Sequence, residues 1–201
     1  MRRFTEDDFG LTWLMNSFHA DWTSGAGSEA AALGLTLWDE LDPRQVMSLR
    51  RDAASLMERL PAGAVERLWE SGVEFPGFFG SRVPSGTLWM HLIVRECDAW
   101  LSRNRTVPLG KADQEEGFAH ADAVVGELRE EADRLGEDLT ADLVLCADRC
   151  TPDLAFRILL QALECKGQQI DRSRYERLER IGTSLRYGEF LVSKLEHLVT
   201  R

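Results

Sequence analysis

Apolar residues recur along this chain at steps of three and four, the spacing of helices with one buried face. Residues 11–18 make a short amphipathic start, and 29–41 carry Ala30, Leu33, Leu37 and Leu41 on one stripe. Asp42-Pro43-Arg44-Gln45 reads as a helix start, with Asp42 as cap, Pro43 in the first turn and Gln45 completing a capping box. The helix it opens places Val46, Leu49, Ala53, Leu56, Met57 and Leu60 on one face and ends at Pro61. A short helix over 64–71 stops at Gly72, and Ser85 starts another with Leu88, Trp89, Leu92, Ile93, Trp100 and Leu101 in register. Four patterns follow. One spans 112–135 through Phe118, Ala121, Val125, Leu128, Ala132 and Leu135, and stops at Gly136. The next covers 140–150. The third opens at Thr151-Pro152-Asp153 and carries Leu154, Ile158, Leu159, Ala162 and Leu163 as far as Gly167. The last is capped by Asp171 and holds Tyr175, Leu178, Ile181 and Leu185, after which residues 190–199 close the chain. No alternating strand of useful length occurs, so the pattern predicts an all-α protein.

Two stretches interrupt the periodicity. Residues 72–86 mix Pro76, Gly77, Gly80, Pro84 and Gly86 with Phe75, Phe78 and Phe79. That density of proline and glycine forbids a long regular element, leaving only edge β-pairs over 75–83, while the aromatics imply a loop folded onto the core. Phe78 and Phe79 are adjacent and do not easily both point inward, so one of them is a candidate aromatic anchor for a partner. Residues 102–110 are polar and broken by Pro108 and Gly110, which reads as a linker between helical domains at 1–103 and 111–201.

The 201 residues are 44% hydrophobic and 29% charged, an ordinary globular balance. No apolar run reaches the roughly 18 residues a membrane span needs. Met1-Arg2-Arg3-Phe4-Thr5-Glu6 has no apolar core of the secretory kind, which leads to a cytoplasmic expectation. The net charge of −10 argues against direct contact with nucleic-acid phosphates and suits a cationic partner. Thirteen acids fall between Asp113 and Asp153: Asp113, Glu115, Glu116, Asp122, Glu127, Glu130, Glu131, Asp133, Glu137, Asp138, Asp142, Asp148 and Asp153. Only Arg129, Arg134 and Arg149 oppose them, so this segment accounts for the charge of the whole chain. A solvated helix face and a docking face for a basic protein both fit that composition.

Catalytic patterns are scarce. There is no G-x-S-x-G, no P-loop and no G-x-G-x-x-G; Gly25-Ala26-Gly27 is too short and lies in no strand–helix context. Cys97, Cys146, Cys150 and Cys165 have no histidine near Cys146 and Cys150 and read as buried thiols. His19 and Asp21 form an H-x-D pair, too few ligands for a metal site by themselves. They read as local structure, with Asp21 accepting backbone amides and Trp22 buried.

Asn16, Phe18, His19, Asp21 and Trp22, followed by Gly27-Ser28-Glu29, resemble the start of the contact-dependent growth inhibition immunity proteins. The helix after Asp42-Pro43, the aromatic loop and Asp98-Ala99-Trp100-Leu101 follow in that family's order, so the resemblance covers about 11–101. Residues 140–185 are similar to the small helical immunity proteins of Maf-type toxin systems, through Asp153-Leu154-Ala155-Phe156, Ile170-Asp171, Tyr175, Leu178, Ile181 and Gly182. The resemblance implies a protein that binds a toxin stoichiometrically and blocks it by occlusion, with no cofactor, no metal and no catalysis. Nuclease toxins are commonly basic because they hold phosphates. The expected contacts are then Glu115, Glu116, Asp122, Glu127, Glu130, Glu131, Asp133, Glu137 and Asp138, with Phe78 and Phe79, while the 16–22 motif is mainly architectural. A helical adaptor or scaffold without a toxin partner is the alternative.

Overall fold

The computed structural model describes residues 3–18, 26, 28–74, 77–80 and 82–200. Among them are eleven α-helices, two 3-10 turns and no strand, so the protein is all-α. The chain divides into two compact units: Phe9–Leu109, and a second made of Met1–Asp8 with Gly110–Arg201. The division falls inside the polar 102–110 stretch. The described residues ahead of Phe9 go with the later unit, not the first, because their charges are paired there.

In Phe9–Leu109 the helices are α1 (Gly10–Asn16), α2 (Glu29–Thr36), α3 (Pro43–Arg59), α4 (Ala62–Ser71) and α5 (Gly86–Arg103). α3 and α5 form the central pair; α1 lies on α3, and α2 and α4 lie on α5. Val46, Leu49, Ala53 and Leu56 of α3 meet a core that includes Trp89, Met90, Ile93, Cys97 and Trp100 of α5. Leu88, placed in the core register by the sequence, is instead 52% exposed. The first turn of α5 packs through Gly86, Trp89 and Met90, with Gly86 against Ala62 and Glu66 of α4, and Leu88 is left on its outer side. Asp98 of the family-like segment joins α5 to α3 through Arg50, at 2.5 Å. The Asp42 carboxylate accepts the Arg44 amide, as a cap should. The capping box does not form: Gln45 is buried with its amide nitrogen unpartnered, and Arg44 closes on Asp42 instead, with Nη2 2.7 Å away. That hydrogen bond holds the Asp42 carboxyl below its ordinary pKa, against the opposing effect of burial. α1 has no cap of its own at Phe9. The Leu11 amide donates to Asp52 Oδ2 of α3 at 3.1 Å, so a buried acid on another helix does the capping.

In the second unit, α6 (Ala121–Glu130), α7 (Ala132–Leu135), α8 (Glu137–Arg149), α9 (Pro152–Cys165), α10 (Arg172–Ser184) and α11 (Glu189–Ser193) follow one another. α9 is the axis, covered by α6 and α8; α7 lies on α8, and α11 packs on α10. Every residue of α9 from Pro152 to Leu163 is buried. The Thr151 hydroxyl accepts the Leu154 amide, and Pro152 fits the first turn, as the sequence predicts.

The single helix expected over 112–135 is broken. Gly117 adopts φ 81, a left-handed conformation open to glycine, and its amide is tied to Glu115 Oε1. A Cβ there would press on Leu185 and on the start of α9. The chain therefore turns before Phe118, which is left 54% exposed, and a new helix starts with Val124, not Val125, in the core.

Candidate interaction surfaces

The acidic segment does not form one face. Asp113, Glu127, Glu131, Asp142 and Asp153 are buried. Glu127 lies between two arginines of α10, 3.2 Å from Arg174 Nε and 2.9 Å from Arg177 Nε, and Glu131 pairs with the Arg174 guanidinium. Arg174 and both acids have side chains no more than 3% exposed. Glu127 and Glu131 are therefore internal ties between α6 and α10, and the expectation that they meet a partner is corrected. A lone buried charge is too costly, so each finds an opposite charge inside the unit. The signal was present in the sequence. With Val124 and Leu128 in the core, residues 127 and 131 fall on the same inward stripe.

Asp153 is the centre of a second internal cluster. Its carboxylate accepts from Arg3 at 2.6 Å and from Arg157 at 3.1 Å, and Arg3 also reaches the carbonyls of Leu185 and Glu115. Tyr187 donates its hydroxyl to the Asp153 carbonyl, and burial pushes its pKa well above the ordinary tyrosine value. One side of α9 continues this polar line to Gln161, which accepts from Lys194 at 2.7 Å. Lys194 also bridges Asp8 and Glu164, each at 2.8 Å. Burial alone would lower the Lys194 pKa, but the two carboxylates outweigh it and raise it. Asp113 takes the Phe4 amide at 2.8 Å. The Asp153 cluster is buried, Lys194, Asp8 and Glu164 are partly exposed, and together these pairs anchor residues 3–8 onto the unit.

The acids that do face solvent are Glu116, Asp122, Glu130, Asp133, Glu137, Asp138 and Asp148, with Glu115 half-buried. Glu130 is engaged by Arg177. Asp122, Asp133, Glu137 and Asp138 form no ion pair among the described residues. They lie on consecutive helices from α6 to the first turn of α8, where Glu137 and Asp138 also suit the helix dipole.

The aromatic loop is mostly interior. Phe78 is 2% exposed, with its ring 5.1 Å from that of Phe18, 5.1 Å from Trp89 and 6.2 Å from Trp69. Most of these contacts are edge-to-face, the geometry aromatic quadrupoles prefer. As a candidate contact Phe78 is corrected to core, and the half-buried Phe79 lies over it at 5.0 Å. Among the described residues, the edge β-pairing allowed for this loop is one bridge, Phe79 to Val83. Phe18 is in the same core, Asn16 is exposed at the end of α1, and His19, Asp21 and Trp22 lie outside the described residues.

The sequence reading missed an exposed stripe on α2. Ala31, Gly34 and Leu35, with Trp38 just beyond the helix, all face solvent, Leu35 at 70% and Trp38 at 49%. The spacing i, i+3, i+4, i+7 was there to be read, but the core stripe Ala32, Leu33 and Leu37 competes with it on a nearly all-apolar helix.

Cys97, Cys146 and Cys150 are buried free thiols, and burial raises the Cys97 pKa to about 12. Among the described residues no group of His, Cys, Asp or Glu side chains converges on a metal position, and no helix is long and apolar enough to cross a membrane. Compared with protein-family models, curated proteins and solved structures, the chain matches none.

Proposed function

We propose that this protein neutralises a toxin as a stoichiometric immunity protein, binding a basic polypeptide in the cytoplasm and occluding its working surface. The observation that supports this reading is the group of outward acids without internal partners: Asp122, Asp133, Glu137 and Asp138. The same unit pairs its interior charges closely, so these four remain available to a cation outside the chain. Such charges raise the rate of encounter with an oppositely charged partner and disfavour wrong ones. The work of such a protein is complementarity, so it needs neither cofactor nor catalytic group. The resemblance of 11–101 and 140–185 to immunity proteins points the same way.

Co-purification with the product of a neighbouring toxin-like gene is the primary test. Affinity for that toxin is expected to fall about tenfold or more from low salt to roughly 0.5 M salt. The triple variant Asp133→Asn, Glu137→Gln, Asp138→Asn is expected to slow association at a stability cost of no more than about 1–2 kcal/mol, from the lost helix-dipole contacts in the first turn of α8. Salt-independent binding, or full binding by the triple variant, removes the acidic surface from the contact. The adaptor reading is favoured by one feature, the apolar outer stripe of α2. If no toxin co-purifies while Trp38→Ala abolishes capture of another cellular protein, that reading replaces the first.

A further inference from the structure

Residues 3–8 lie along the later unit as a strap outside any helix. Their contacts are those of a bound peptide. The Arg3 guanidinium is buried, with Nε 3.2 Å from the Leu185 carbonyl and Nη2 3.0 Å from that of Glu115 and 2.6 Å from Asp153 Oδ1. Its Cζ lies 5.3 Å from the centre of the Tyr187 ring. Three acceptors set around one planar fork, with an aromatic face against it, select arginine over lysine. Further along, the Phe4 amide donates to Asp113 Oδ1 at 2.8 Å, and the Glu6 carbonyl accepts the Phe190 amide at 3.0 Å. Asp8 closes the strap on Lys194 at 2.8 Å.

Two observations mark the strap as separable. First, each charged group it touches has a second partner inside the unit. Asp153 gives Oδ1 to Arg3 and Oδ2 to Arg157, 3.1 Å away. Asp113 gives Oδ1 to Phe4 and Oδ2 to the Gly110 amide, 2.9 Å away. Lys194 has Glu164 and Gln161 besides Asp8. Breaking a buried pair is costly when it leaves a charge alone, and lifting the strap leaves none of these three alone. Second, Gly188 has φ −72 and ψ 179, a backbone open to any residue, so its own turn does not require glycine. A Cβ there would come within 2.2 Å of Glu6 Cα, and the next nearest atoms are also Glu6 backbone. What glycine at 188 makes room for is the strap.

We infer that residues 3–8 are a releasable latch over a recognition site, and that the site beneath takes a polypeptide segment carrying an arginine and, five residues further on, a carboxylate. The strap supplies that pattern itself, through Arg3 and Asp8. The site uses none of the outward acids Asp122, Asp133, Glu137 and Asp138, so it stands or falls separately from the toxin reading.

The test uses the full chain and the peptide acetyl-Arg-Phe-Thr-Glu-Asp-Asp-amide. The double variant Arg3→Ala, Asp8→Ala disables the latch and leaves the site intact. The peptide is expected to bind it with a Kd of about 0.1–1 mM, moving the amide shifts of Asp113, Phe190 and Lys194. In the wild type the strap competes at an effective concentration on the order of mM, so binding there is expected to be about tenfold weaker or less. Lysine for the peptide's arginine is expected to weaken binding about fivefold or more, and asparagine for its last aspartate about twofold or more. Gly188→Ala is the second variant. It is expected to release residues 3–8, seen as faster hydrogen exchange at the Phe4 amide, while the amides of α9 keep their protection. Added to the double variant, it is expected to abolish peptide binding. The assignment is overturned if the peptide fails to bind the double variant, binds the wild type equally well, or loses nothing on either exchange of residues. It is overturned too if either variant strips the α9 amides of protection, because the strap would then be part of the core, or if Gly188→Ala leaves Phe4 protected or peptide binding unchanged.

Discussion

Glu131 and Phe78 show how a residue's role follows from what surrounds it. By type, the first is a surface acid and the second a possible anchor. In the fold Glu131 is fully buried against Arg174, and Phe78 lies within a ring of Phe18, Trp69 and Trp89. Removing one partner from a buried ion pair leaves an uncompensated charge, so Arg174→Met is expected to destabilise the second unit by about 3–5 kcal/mol, measured by urea unfolding. Phe78→Ala is expected to cost about 3–5 kcal/mol, and Phe79→Ala clearly less. Equal losses for the two phenylalanines would contradict the placement of Phe78 at the centre of the cluster. Neither Glu127 nor Phe78 belongs in a search for partner contacts, because substitutions there act through stability.

At the scale of elements, caps explain where helices begin. Thr151, Ser85 and Asp171 lie immediately before their helices and were legible as caps, because a side chain reaching two or three residues ahead is a local event. Asp52 was not legible. It caps α1 from α3, 41 residues away in the chain, and nothing in its own neighbourhood announces it. Asp52→Ala is expected to cost about 1–2 kcal/mol, the range of a lost cap. It should also release the Leu11 amide to faster hydrogen exchange. Unchanged exchange at Leu11 would show that α1 is held by its packing on α3 alone. The break at Gly117 is the complementary case. Periodicity ran through it, yet the chain turns there, and the helix beyond it buries Val124, Glu127 and Leu128, with Glu131 after its end, in place of Phe118 and Val125.

For the whole molecule, alkaline pH is the informative condition. Cys97 and Tyr175 have pKa values raised to about 12 from ordinary values of 9.0 and 10.0, by burial first and then by nearby acids. Tyr187 and Lys194 are raised as well, the tyrosine by burial and the lysine by Asp8 and Glu164 against the effect of burial. All four groups hold their protons more tightly folded than unfolded. Their contribution is complete below about pH 9 and is lost as pH rises from there through 12. Thermal unfolding should therefore show a plateau from neutral pH to about 9 and a steady fall in Tm above it. A Tm that stays level to pH 11 would mean that these groups are not held as the fold places them. Cys97 and Lys194 lie in different units, so both units are expected to lose stability above about pH 9.

The sequence by itself determined the helical class, most helix starts and the core faces of α3, α9 and α10, because periodicity and caps act within a few residues. Only the tertiary structure decided which arginine or lysine each internal acid pairs with and that residues 3–8 belong with the later unit. Those outcomes depend on pairings between residues 47 to 186 positions apart, such as Glu127 with Arg174 and Asp8 with Lys194. Charge in a sequence counts residues, whereas charge on a surface is what remains after the interior has taken its pairs.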